Sequence, residues 1–87
     1  IMKIGYSKKF IKEFEKCPNH IKKSFKERLL IFSENEFDPI LNNHSLLGKL
    51  KDYRSININA DWRAIFEKDS KGMIYFSAIG NHSQLYR

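Results

Sequence analysis

The stretch Tyr53–Ile79, YRSININADWRAIFEKDSKGMIYFSAI, decides the fold. Its opening alternates, with Ile56 and Ile58 on one side and Ser55, Asn57 and Asn59 on the other. Successive side chains of a strand point to opposite faces, so Tyr53–Asn59 reads as a strand with one apolar face. Asn59-Ala60-Asp61 is a turn by composition. Trp62–Lys68 is the next strand, and Lys68–Gly72 closes a hairpin with Gly72 available for positive φ. Met73–Ile79 is a last, largely apolar strand, which suits a central, buried position. Sequential hairpins make the three strands an antiparallel meander.

Working back toward the N-terminus, the period changes from two to between three and four. Met2–Tyr6 alternates enough to be a short first strand. Ser7 is a plausible N-cap for a helix carrying Phe10, Ile11, Phe14 and Cys17. Pro18 ends that helix, because it disfavours helical geometry in the residue before it. A second helix runs from about His20 to Phe37, with Ile21, Phe25, Leu29 and Phe32 on one stripe and Lys22, Lys23, Lys26 and Glu27 opposite. The short link packs the two helices as an antiparallel pair. From Asp38 to Leu47 the residues are those of a loop. The expected fold is α+β: a small twisted antiparallel sheet, made of an N-terminal strand and a three-strand meander, with a two-helix hairpin on one face. The other sheet face would hold polar and charged side chains and stay free to bind a ligand.

Eighty-seven residues, 41% of them hydrophobic, suit one economical core, so residues 2–87 read as a single domain and disorder is excluded. Sixteen Lys and Arg against ten Asp and Glu leave a net charge of +6, which points to a polyanionic partner. A lone cysteine, Cys17, allows no internal disulfide and no cysteine metal cluster, and fits a reducing, cytoplasmic setting. No run of apolar residues is long enough to span a membrane, and no secretory signal opens the chain. Met2 reads as the natural start.

Three positions could carry chemistry: His44 before the meander, Asp61 at its first turn, and His82 after its last strand. The ends of a meander fold back beside one another, so the three can share one end of the sheet. Histidine titrates near neutrality and is the most usual general acid or base. Each of these residues is equally at home as a plain surface residue. Their spacing matches no metal motif, so neither a metal nor a cofactor is expected. Lys49, Lys51, Arg54 and Arg63 lie in the same region, interleaved with Tyr53, Trp62 and Tyr86. Cations for phosphates and aromatic rings for unstacked bases are what single-stranded RNA requires. Trp62 and Tyr53 fit a core role as well.

Strung together, His44-Ser45-Leu46-Leu47-Gly48, then Tyr53-Arg54, then Asp61-Trp62, then Gly80-Asn81-His82-Ser83-Gln84-Leu85-Tyr86 resemble the YafQ-type toxins of the RelE/ParE superfamily. Those read His-Pro-Leu-x-Gly, Tyr-Arg-x-x-His-x-x-x-Asp-Trp and Gly-x-His-x-x-Leu-Phe. The resemblance implies the sheet and helix pair above, and a toxin that cleaves messenger RNA in the ribosomal decoding site. It also implies a cognate acidic antitoxin that wraps and silences the toxin. His44, Asp61, His82 and Tyr86 match functional positions of that family, with Tyr86 in place of a Phe, and Arg63 matches a basic position of the wider group. Two residues depart from the pattern. Ser45 replaces the proline, and Asn57 stands where the family has a histidine. Asparagine forms hydrogen bonds but exchanges no proton near neutrality.

On that resemblance the RNA 2′-OH attacks the neighbouring phosphate. His82 is the general acid, Asp61 or His44 provides or orients the base, Arg63 with Lys49 or Lys51 holds phosphate, and Tyr86 and Trp62 position a base. Two alternatives stay open: inhibition of DNA gyrase by binding, as in the ParE branch, and a binding module with a weakened active site, which Asn57 keeps in play.

Overall fold

The computed structural model describes residues 3–85. The elements run β1 (Ile4–Tyr6), α1 (Lys8–Glu15), α2 (Asn19–Glu34), β2 (His44–Ser45), β3 (Arg54–Asn57), β4 (Trp62–Lys68), β5 (Ile74–Asn81) and α3 (His82–Leu85), with 3-10 turns at Pro39–Leu41 and Gly48–Leu50. They form one sheet of order β1-β5-β4-β3-β2. The expected α+β class holds, and the meander β3-β4-β5 is antiparallel. Two features differ from the expectation. β1 pairs with β5 in parallel, because the chain crosses over through both helices before it returns. A two-residue strand, His44–Ser45, lies within the expected loop and pairs with β3.

Local chemistry sets the helix ends. The Ser7 hydroxyl accepts from the Phe10 N–H at 3.0 Å and donates to the Ser77 carbonyl at 3.2 Å, so one side chain caps α1 and ties it to β5. α2 stops at Glu34, short of the expected Phe37. Asn35 is extended there (φ −153°), and its Oδ1 accepts from the Phe37 N–H at 3.1 Å, an alternative to helix that asparagine readily offers.

The helices cover one sheet face through an aromatic core. Phe76, fully buried in β5, has Phe10, Phe25, Phe32 and Phe66 around it at centroid separations of 5.4–5.8 Å. The tilted and edge-on geometries are those that aromatic quadrupoles favour. Ile21, Ile56, Ile58 and Ile74 belong to the same core.

The opposite face corrects the expectation of a wholly polar, open surface. Leu46, Ile65 and Ala78 form a second buried cluster, packed by Leu50, Tyr53 and Leu85, and Ser55 is buried on the same side. The 3-10 turn at Gly48–Leu50 and α3 fold over the middle of the sheet. The end near Asn57 and Arg63 is only partly covered. A bulge between Ile65 and Phe66 gives β5 one extra residue, Ser77.

Candidate active site

At that end three elements meet. Asn59 shapes the first wall: its Oδ1 accepts from the N–H groups of Asp61 (3.0 Å) and Trp62 (2.8 Å), an Asx turn that closes the β3–β4 hairpin. Arg63, paired across the sheet with Asn57 and Gly80, reaches back to this turn. Its guanidinium donates to the carbonyls of Asn59 (2.9 Å), Trp62 (3.1 Å) and Ala60 (3.2 Å). The cation is thus held in one orientation while keeping its charge.

α3 forms the second wall. The His82 N–H donates to the Asp61 carbonyl at 3.0 Å, which fixes the start of α3 against the turn. Gln84 Oε1 accepts from the Asn81 N–H, and Asn81 Oδ1 accepts from the Gln84 N–H, a reciprocal capping pair. The third wall is the segment before β3. Arg54 donates Nε to Asn43 Oδ1 (2.7 Å) and Nη1 to Ser45 Oγ (2.8 Å), and its guanidinium lies 5.5 Å from the Phe37 ring centroid. Arg54 therefore holds the segment that carries His44. Within it, His44 Nδ1 lies 2.8 Å from the Asn42 carbonyl. A carbonyl only accepts, so Nδ1 carries the hydrogen and the neutral ring has its lone pair on Nε2.

His44, Arg63 and His82 together line an open groove of about 410 Å³, with Asn42, Ser45, Leu46 and Leu47. No lining residue is acidic, and one is a fixed cation, so the groove suits an anion. Asp61 joins it through its backbone carbonyl; its carboxylate is not part of the lining. Lys49 and Lys51 are exposed on the 3-10 turn beside it. Trp62 packs on the main core and Tyr53 on the second cluster, and both line a neighbouring groove. Among the described residues Asn57 Oδ1 is buried without a hydrogen-bond partner, on the same face as its cross-strand partner Arg63. Tyr86 lies outside the described residues. Sequence reasoning missed Asn42, Asn43 and Asn59, which looked like ordinary loop asparagines, and Gln84. The Asn-x-x-Gln spacing after the last strand was the available sign of the last.

Cys17 takes no part in this site. Its thiol donates to the Glu13 carbonyl at 3.3 Å, and burial pushes its pKa up, with Lys22 opposing and Glu13 adding to the rise. That keeps it a thiol rather than a nucleophilic thiolate. Among the described residues no group of His, Cys, Asp and Glu is arranged to hold a metal ion, and no helix is long and apolar enough to cross a membrane.

An open sheet with a helix pair on one face is, in this chain, the fold of a bacterial toxin of a type II toxin–antitoxin system. The chain belongs to the YafQ family, bacterial toxins of type II toxin–antitoxin systems, whose model matches residues 2–87. Its fold matches YafQ from E. coli strain BL21(DE3), at 20% identity and a TM-score of 0.83 with both chains fully covered. It also matches the toxin in the crystal structure of the E. coli DinJ–YafQ complex, at 23% identity and 0.73 with full coverage of both chains. A YoeB/ParE toxin from Agrobacterium tumefaciens matches at 15% identity and 0.76, over 93% of this chain and 99% of that one. No curated protein sequence gives a significant match.

Proposed function

We propose that this toxin is an endoribonuclease that cuts messenger RNA on the ribosome, in the cytoplasm, and so arrests translation. The observation that carries the reading is the convergence of His44, Arg63 and His82 on one groove without a carboxylate in its lining. Transfer within RNA needs a base for the 2′-OH, an acid for the departing 5′ oxygen, and positive charge for the phosphate. His44 has the tautomer of a base, with Nε2 ready to take the hydroxyl proton. The 2′ oxygen then bonds to phosphorus, the bond to the 5′ oxygen breaks, and His82 gives that oxygen a proton. The products are a 2′,3′-cyclic phosphate and a 5′-OH. Arg63 holds the charge that develops on the phosphate. Asp61 keeps His82 in place through its carbonyl. Lys49, Lys51, Trp62 and Tyr86 guide the strand.

His82 is exposed, so His82→Ala leaves the fold intact. It lowers cleavage of ribosome-bound mRNA by about 10²–10⁴, the contribution of one placed proton-transfer group. A His82→Ala protein that cleaves at the wild-type rate overturns the assignment. A DNA-damage response on induction, without translation arrest, overturns the nuclease reading itself.

A chain of net charge +6 from a family of paired toxins suits a cognate antitoxin that is acidic and folds on binding. Their association weakens steeply with salt; an affinity unchanged between low and high salt refutes electrostatic docking.

A further inference from the structure

On the other side of the segment that carries His82 lies a second groove, of about 470 Å³, of whose lining the chemistry above uses only Trp62. Lys9 lines it from α1 and Lys16 from that helix's C-cap, Trp62 from β4, Tyr53 from just before β3, and Gln84 from α3, over a floor that includes Ile65. Its lining is close in the chain to that of the first groove: Trp62 lines one and Arg63 the other, as do Gln84 and His82.

The groove runs along a bare strand edge. β1 pairs only with Ile74, Tyr75 and Phe76, so among the described residues β5 has no strand on its β1 side from Ser77 onward, while β4 pairs with its other side. That edge is nonetheless closed to a partner strand. The Ile79 N–H already donates to Glu13 Oε1 at 3.1 Å and the Asn81 N–H to Gln84 Oε1 at 2.9 Å. What the groove offers instead is aromatic surface, cationic charge and a donor. Because Gln84 Oε1 accepts from Asn81, the Gln84 amide NH₂ points away from the backbone and can donate elsewhere. Lys9 lies 3.6 Å from Glu13 and offsets its charge, whereas Lys16 forms no ion pair among the described residues. Lys16 is thus the surplus cation.

We propose that this groove is a second nucleotide subsite, in which Trp62 takes a base next to the cleaved bond and Lys16 takes its phosphate. The proposal rests on the nuclease reading and extends it: one RNA strand crosses α3, its scissile phosphate at Arg63 and its neighbouring nucleotide at Trp62. Gln84 donates to an acceptor on the edge of that base. Stacking on aromatic rings tolerates any base, so the subsite secures the strand more than it reads sequence.

The test uses a short single-stranded RNA made uncleavable by 2′-O-methylation. Trp62 is the chain's one tryptophan, so its emission reports the groove directly. Binding quenches that emission saturably. Lys16→Ala, at an exposed position, leaves the melting temperature unchanged and lowers the slope of log affinity against log salt by about 0.7, the value of one phosphate contact on a single strand. Unchanged emission at saturation, or a wild-type salt slope in Lys16→Ala, overturns the subsite. If the wild type still cleaves translated mRNA, the nuclease reading survives that result. Quenching and the slope change without cleavage support the subsite and refute the nuclease. Equal quenching by an acidic peptide makes the groove a protein-docking site and overturns the proposal.

Discussion

Gly80 offers a way to disable the proposed nuclease without touching a chemical group. It is buried in β5 opposite Arg63, and its φ is not in the left-handed region, so the backbone itself accepts alanine. The space does not. A Cβ there would lie 3.0 Å from Gln84 Oε1, 3.3 Å from Gln84 Cβ and 3.4 Å from Leu85 Cδ2. Gln84 Oε1 cannot swing aside without giving up its bond to the Asn81 N–H, so α3 must move outward by a few tenths of an ångström and take His82 with it. The cost to stability is small. Losing a neutral hydrogen bond that water can replace costs roughly 0.5–1.5 kcal/mol. Replacing glycine by alanine returns roughly 0.4–1 kcal/mol by restricting the unfolded chain. The cost to rate is larger, because a misplacement of about 1 Å lowers catalysis by about 10². Gly80→Ala is expected to melt within a few degrees of wild type while cleaving mRNA on purified ribosomes about ten- to a hundredfold more slowly. Adding Gln84→Ala removes the nearest contact and recovers part of the loss, measured against Gln84→Ala alone. Cleavage by Gly80→Ala at the wild-type rate would refute the coupling between β5 packing and His82 placement.

Three further outcomes follow from the same geometry. Glu13→Ala strips the acceptor from the nearly buried Ile79 N–H and costs about 1–3 kcal/mol, or a melting temperature lower by at least about 4 °C; Lys9→Ala, which breaks only the exposed ion pair, costs under about 1 kcal/mol, and equal losses in the two would sink the idea that Glu13 seals the β5 edge. Arg54→Lys cannot span both Asn43 and Ser45, so cleavage falls roughly tenfold or more through a displaced His44 while the salt dependence of RNA binding stays at the wild-type slope; a reduced slope would show that Arg54 holds phosphate instead. The Glu67 carboxylate, by its charge and its hydrogen bond, raises the Tyr53 phenol above its ordinary value of 10.0, with burial and Asp52 adding to the rise. A raised folded-state value makes this contribution complete below pH 10 and lost above it, so urea midpoints of wild type and Tyr53→Phe differ at neutral pH and converge in strong alkali; a gap that stays constant with pH would refute it.

Much of the fold was legible because its signals are local. The alternation at Ile56 and Ile58, the turn residues at Asn59 and Gly72, the Ser7 cap and the stripe of Ile21, Phe25 and Phe32 each report on a few neighbouring residues, and each falls where it should. The end of α2 was misjudged because Asn35 competes for the backbone through its own side chain. Of the candidate site, the sequence supplied residues by chemistry, and the structure brings His44, Arg63 and His82 to one groove.

The sequence by itself determined the elements, the apolar face of each, the positive charge and the residue types that can move a proton or hold a phosphate. Those depend on side-chain chemistry and short-range periodicity. The tertiary structure decided which of them meet. It placed β1 parallel to β5, folded Leu46 and Leu85 over the second face, turned Arg63 back onto the Asn59 turn, and tied the Asp61 carbonyl to the His82 N–H. It also brought Lys9 and Lys16 of α1 beside Trp62 and Gln84. Contacts between residues far apart in the chain are selected by packing of the whole, where one edge, one bulge and one capped N–H settle a position that no local pattern encodes.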